Sequence, residues 1–153
     1  MAADKAPQSR IATNRKATYD YFVLERIEAG IELHGTEVKS LRAGLANLTG
    51  GFGDIQDGQV FLRDVRISPY EFGNRFNHEP DRPRRLLMHR REIDRLLGKT
   101  AQKGLTLIPL SLYFKRGHVK VELGLCKGKH TVDKRDDLKR KAADRDARRA
   151  ASE

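Results

Sequence analysis

Between Pro69 and Arg91 the sequence PYEFGNRFNHEPDRPRRLLMHRR interleaves three rings, Tyr70, Phe72 and Phe76, with arginines at positions 75, 82, 84, 85, 90 and 91. Guanidinium planes bond phosphate oxygens in pairs and stack on bases, and aromatic faces receive unpaired bases, so the mixture has the chemistry of RNA recognition. Its prolines disfavour regular structure through residue 83, which makes much of the stretch a loop. Two uses of the rings compete here: stacking on bases, or plugging a core beneath the loop. The clustering of arginines favours a backbone-binding face over a solvated rim.

Other residues extend or compete with this chemistry. Lys39 and Arg42 lie three apart, on one side of a short helix, and continue the basic face or are ordinary solvated charges. Glu28, beside Ala29-Gly30, either ends a hairpin or accepts bonds from base amino groups, as carboxylates do from cytosine in duplex DNA. Glu32, His34 and Glu37 have the types needed for a general acid and base, and Asp54 or Asp57 could hold a metal. No nucleophile elbow, phosphate loop or paired metal-ligand motif accompanies them, so the reading is a binding protein without catalytic residues, metal or cofactor. Cys126 sits beside Lys127 and Lys129, which would lower its pKa, but is read as an ordinary strand-end thiol.

The elements that would position these groups follow from patterning. Residues 1–13 are small, polar or charged and form a disordered lead-in, with order beginning near Asn14-Arg15-Lys16. YDYFVLERIEAGIEL, from Tyr19, reads as a hairpin turning at Ala29-Gly30. Thr36 is placed as the N-cap of a helix reaching about Ala43. Asp57-Gly58 is a two-residue hairpin turn between Phe52–Gln56 and Gln59–Leu62. Leu86–Met88 forms a short strand, Ile93, Leu96 and Leu97 mark an amphipathic helix ending before Gly104, and two alternating strands pair through Arg116-Gly117. Hairpins and two helices without a strand–helix–strand rhythm imply a mainly β fold: a small closed antiparallel OB-like barrel with peripheral α-helices, spanning residues 14–126.

Composition bounds the function. The 153 residues suffice for one domain; Lys and Arg total 31 against 21 Asp and Glu, a formal charge of +10 that favours an anionic partner. No apolar run is long enough to span a bilayer and the N-terminus lacks a signal-peptide core, which points to the cytoplasm and to no membrane partner. One cysteine makes no internal disulfide, and His34, His78, His89, His118 and His130 show no metal-ligand spacing. From Lys127 to Glu153 ten Lys or Arg face six Asp or Glu, a net +4 without an aromatic ring. Such a segment has too little apolar surface to offset ordering entropy and is disordered alone. Asp136 with Arg140, Asp137 with Lys141 and Asp144 with Arg148 are nonetheless spaced for helix formation once a polyanion neutralises the excess charge.

NRKA at 14–17, EAGIELHGTEVKSLRAG at 28–44, SPYEFGNRFNHEPDRPRRLL at 68–87, KGKH at 127–130 and DKR at 133–135 closely resemble the SmpB family, small bacterial proteins that bind transfer-messenger RNA (SsrA). The resemblance implies a non-enzymatic protein, a monomer off the ribosome, that delivers alanyl-charged transfer-messenger RNA with GTP-bound elongation factor Tu to ribosomes stalled on messages lacking a stop codon. By that resemblance Glu28, Leu87 and His89 hold the tRNA-like part of the RNA, His89 standing where some relatives carry Asn. Arg15, Lys16, Lys39, Arg42, Arg75, Arg84 and Arg85 complete the set assigned to that RNA. Lys127, Gly128, Lys129, Asp133, Lys134 and Arg135 match the tail segment that enters the empty mRNA channel of the small subunit and contacts the decoding centre, becoming helical there. His130 stands where lysine is frequent and Val132 where a histidine or aromatic ring often appears. The alternative is a structural ribosomal protein or a general RNA chaperone on the same barrel.

Overall fold

Alternation of apolar and polar residues along four long or paired segments builds a closed ring of antiparallel strands. The computed structural model describes residues 8–71, 77–102, 104–129 and 139–147. In chain order the elements are β1 (Gln8–Thr13), α1 (Arg15–Asp20), β2 (Tyr21–Ile31), α2 (Gly35–Arg42), β3 (Ala46–Asn47), β4 (Phe52–Gln56), β5 (Gln59–Arg63), β6 (Arg66–Ile67), β7 (Arg84–Leu87), α3 (Arg90–Thr100), β8 (Leu105–Lys115) and β9 (His118–Gly128). Residues 139–147 form a further helix, α4. The strand order is β1-β8-β4-β5-β7-β2-β9, and β9 pairs back onto β8, so six strands close on themselves while β1 extends one edge of β8. The two-stranded β3–β6 sheet lies outside the ring.

Inside the ring Ile27, Ala29 and Ile31 of β2 meet Val60 and Leu62 of β5, Leu86 of β7, and Val121 and Leu123 of β9. Period-2 alternation therefore sends Arg26, Glu28 and Gly30 outward on β2, with Lys120 and Glu122 opposite them on β9. Near its middle β8 is buried on both faces: Leu107 and Leu112 point into the ring, whereas Ile108 and Leu110 join Cys126 and Ala17 in a second cluster. A register shift between Pro109 and Ser111 accompanies the change of face. Gly124 makes this possible, because a Cβ there would lie 2.9 Å from Leu110 Cδ1.

Several expectations are corrected. Gln8–Thr13, read as lead-in, is a strand whose register runs from Gln8 opposite Lys115 to Thr13 opposite Ser111. Ala29-Gly30 is no turn: β2 continues to Ile31, and Gly30 pairs with Leu87 on one side and Lys120 on the other. A Cβ on Gly30 would come within 3.2 Å of Leu87 Cβ, so this glycine serves close strand approach. His34, not Thr36, caps α2, its backbone N–H donating to Glu37 Oε1 at 2.7 Å. An additional helix, α1, follows a buried Asn14 whose Oδ1 accepts from the Ala17 N–H and whose Nδ2 donates to Pro109 O at 3.0 Å. β9 runs through Gly128, so Lys127 and Gly128 belong to the folded domain rather than the tail.

The turns at Asp57-Gly58 and Arg116-Gly117 form as expected, each with both central residues at positive φ: 52° and 75° in the first, 51° and 78° in the second. Gly58→Ala should therefore destabilise the domain by about 1–2 kcal/mol, read as a lower urea midpoint at unchanged slope. An unaltered midpoint would show that the β4–β5 turn tolerates the strain.

Candidate RNA-binding surfaces

On the outer face of the ring the Glu28 carboxylate is held by groups that come from far along the chain. The Tyr113 hydroxyl donates to Glu28 Oε2, and Lys115 Nζ lies 3.2 Å from the same oxygen and 3.3 Å from Oε1. Burial alone would raise the carboxyl's pKa, but these bonds and the charges of Lys115 and Lys120 hold it below the ordinary glutamate value. Burial first, then the Glu28 bond, pushes the Tyr113 phenol well above its usual range, so it stays a donor. The result is a fixed, ionised acceptor in a cationic setting, not the hairpin-end carboxylate of the sequence reading. Lys115 and Tyr113 were missed as site residues; the only sequence signal was their position in the alternating strand, which does not reveal a partner 85 residues away.

Leu87, at the end of β7 beside Gly30, is half exposed, and with Gly30, Leu33, Val38, His118 and Val119 it lines a shallow groove next to Lys120. His89 follows as the exposed N-cap of α3, its backbone N–H donating to Glu92 Oε1 at 3.3 Å. Register places Glu28, Gly30 and Leu87 on one face, so Glu28 and Leu87 share a surface region around the β2–β7 junction, with His89 two residues beyond Leu87 at the start of α3. Arg85 is exposed there and pairs with Glu32 at 2.9 Å.

Arg84 is not part of that surface, and its assignment to RNA is corrected. It is 0% exposed; Nε lies 2.5 Å from Glu37 Oε2, and its other nitrogens donate to the carbonyls of Val65, Glu79 and Pro80. Arg82 takes Glu37 Oε1 at 2.5 Å and Oε2 at 3.1 Å. With the His34 N–H these bonds occupy both carboxylate oxygens, which removes Glu37 from the acid–base trio. His78 finishes the lacing: Nε2 donates to the Ile67 carbonyl at 2.8 Å, which leaves Nδ1 to accept from the Thr36 hydroxyl at 2.9 Å. The loop after β6 is thus stitched to α2, which carries Lys39 and Arg42 in its last turn. Lys39 Nζ sits 5.4 Å from the Tyr70 ring centre, and the Tyr70 backbone N–H donates to Asn77 Oδ1 while its carbonyl accepts from Asn77 Nδ2. Tyr70 therefore packs against α2. Arg75, Phe72 and Phe76 lie outside the described residues.

At the far end of β2 and β9, Arg15 and Lys16 are exposed on α1. Tyr21 pairs with Gly128 while Gly30 pairs with Lys120, so this end stands nine β2 residues from Leu87, about 30 Å at 3.3 Å per residue. The 14–17 motif and the Glu28–Leu87–His89 region therefore form two separate surfaces, not one. Asp133, Lys134 and Arg135, like His130 and Val132, lie outside the described residues. Burial pushes the Cys126 thiol up to about 11, reversing the lowering expected from its lysine neighbours. No group of three or more His, Cys, Asp or Glu among the described residues is placed to hold a metal ion, and no helix among them is long and apolar enough to cross a membrane.

A closed antiparallel ring with peripheral helices, two basic surfaces and a cationic C-terminal segment defines a mainly β protein built to bind a polyanion. The sequence model of the SmpB protein family matches residues 11–153. The SsrA-binding protein of Desulforudis audaxviator is 58% identical over 147 residues, covering 96% of each chain, and that of Carboxydothermus hydrogenoformans is 59% identical over 140 residues, covering 92% of this chain and 94% of the relative. A solved structure described as "tmRNA-SmpB: a journey to the center of the bacterial ribosome" superposes with a TM-score of 0.68 at 50% identity, covering 83% of this chain and 93% of that one. The chain belongs to the SmpB family.

Proposed function

We propose that this chain binds the tRNA-like part of transfer-messenger RNA and delivers it to stalled ribosomes for trans-translation, with the C-terminal segment occupying the vacant mRNA channel and decoding centre. The observation that carries the reading is the Glu28 carboxylate, fixed and ionised by Tyr113 and Lys115 on a face shared with Leu87. A rigid acceptor beside an exposed apolar side chain suits an unstacked base, whose amino group bonds the carboxylate while its face packs on the leucine. Lys39, Arg42 and Arg85 are exposed and add positive charge for the backbone. Arg15 and Lys16, at the other end of the ring, offer a second basic surface to the same RNA. The charged RNA brings elongation factor Tu with GTP, and the protein acts as a cytoplasmic monomer until it reaches the ribosome.

Glu28→Gln removes the charge while keeping shape, and is expected to weaken transfer-messenger RNA binding about tenfold or more in a filter-binding titration. A structural ribosomal protein or general RNA chaperone would instead copurify with ribosomal subunits whether or not they were stalled, and the Gln variant would bind transfer-messenger RNA as the parent does. That outcome would overturn the proposal.

A further inference from the structure

Lys129 was assigned above to the ribosome-contacting tail, yet in the free chain it is engaged with its own domain. Its backbone N–H donates to the Asp20 carbonyl at 2.9 Å, its ammonium donates to the Thr18 carbonyl at 3.0 Å, and Nζ stands 4.8 Å from the centre of the Phe22 ring. Thr18 and Asp20 are the closing residues of α1, whose last turn contains no basic residue of its own. The carbonyl end of a helix carries partial negative charge and is stabilised by a cation placed there, so Lys129 supplies from a distance the charge that α1 lacks. The ring adds a second attraction for the same ammonium.

α1 is itself a firm anchor. Ala17 is buried, and Asn14 ties the start of the helix to the carbonyls of Leu48 and Pro109 in addition to capping it. The last ladder pairs before Lys129 are Lys127 opposite Phe22 and Gly128 opposite Tyr21. One residue beyond the sheet, the chain is therefore clamped to a helix that is clamped to the core.

We propose that Lys129 is a positioning residue that fixes the point and direction at which the C-terminal segment leaves the domain. The inference rests on the ribosome-rescue reading above for its consequence, but not for its geometry. A segment that starts from one fixed point searches a smaller volume for the mRNA channel once the domain is seated, which raises its effective concentration there. Without the clamp, departure frays back into the β2–β9 ladder and that advantage falls. Lys129 then acts through α1 rather than by meeting a ribosomal phosphate.

Three full-length variants test this. Lys129→Met keeps the backbone bond but loses the charge; Lys129→Arg keeps the charge; Phe22→Leu leaves the lysine intact and removes the ring. Amide hydrogen exchange by nuclear magnetic resonance on the free protein reads the clamp, and peptide tagging on stalled ribosomes reads the consequence. The Lys129 amide is expected to exchange about threefold to tenfold faster in Lys129→Met and in Phe22→Leu, and near the parental rate in Lys129→Arg, with tagging falling in the first two and recovering in the third. Transfer-messenger RNA affinity serves as the control for an intact domain. If Lys129→Met lowers tagging with no change in exchange, or Phe22→Leu leaves both unchanged, the lysine contacts RNA directly and the positioning role is wrong. If removing the whole segment leaves tagging intact, it is the ribosome-rescue reading that fails.

Discussion

Truncation after Lys129 is expected to abolish peptide tagging on stalled ribosomes while leaving affinity for transfer-messenger RNA within about twofold of the full chain. Gly128 closes β9 against Tyr21, and Lys129 is bonded to α1, so a cut one residue later spares the β2–β9 ladder and both Lys129 bonds. A cut after Lys127 would instead strip the end of the β2–β9 ladder and mix a folding defect into the result. Along β2 the Glu28–Leu87 face begins about 23 Å away at Glu28 and reaches about 30 Å at Leu87, too far to feel the missing segment. Gel shift with transfer-messenger RNA and a reconstituted tagging reaction give the two readouts. Parallel loss of both would refute the separation of roles.

The largest stability effect is expected at Glu37. Glu37→Gln leaves Arg84, wholly buried, without its counter-charge, and removing one partner of a buried pair costs about 3–5 kcal/mol. For a domain of this size that lowers Tm by about 10 °C or more. Arg84→Met should be comparably damaging, because the carbonyls of Val65, Glu79 and Pro80 lose their donor as well. The double variant Glu37→Gln/Arg84→Met should cost less than the sum of the singles, since no uncompensated charge from this pair remains. Acid provides an independent check. Burial would raise the Glu37 carboxyl, but Arg82, the His34 N–H and Arg84 hold it below its ordinary value of 4.5. A depressed folded pKa means that its stabilisation is complete above 4.5 and disappears as pH falls through the folded value. The gap in urea midpoint between parent and Glu37→Gln should therefore be widest near neutral pH and close in acid below 4.5. A gap that stays constant with pH would place the stabilisation elsewhere.

How far the sequence could be read depended on whether the physical cause was local. Asp57-Gly58 and Arg116-Gly117 were legible because positive dihedrals at a turn are a property of the two residues themselves. Gly30 was misread for the complementary reason: nothing adjacent says that its missing side chain makes room for Leu87, 57 positions on. β1 escaped notice because QSRIAT shows little alternation and owes its form to β8, about a hundred residues away. Among the candidate site residues, the arginines illustrate the limit best. Arg84 and Arg85 are neighbours of one type on one strand, and the pleat sends one into the core and the other into solvent. Only the placement of Glu37 across the loop makes burying the first tolerable. Glu28 could not be distinguished from an ordinary surface acid by its own surroundings in sequence; the family resemblance singled it out, and the partners that fix its carboxylate, Tyr113 and Lys115, lie 85 and 87 residues away.

The pairing of β2 with β9 makes the protein a caliper. Its jaws are the Leu87 end and the Lys129 end, and the opening between them is counted in cross-strand rungs rather than set by any flexible joint. Deleting one rung would shorten the span by about 3.3 Å and turn Glu28 to face inward, while deleting two would preserve its facing but bring the jaws nearly 7 Å closer. Strand length, which elsewhere in the ring serves only to enclose the core, is in these two strands a measurement of distance between two surfaces.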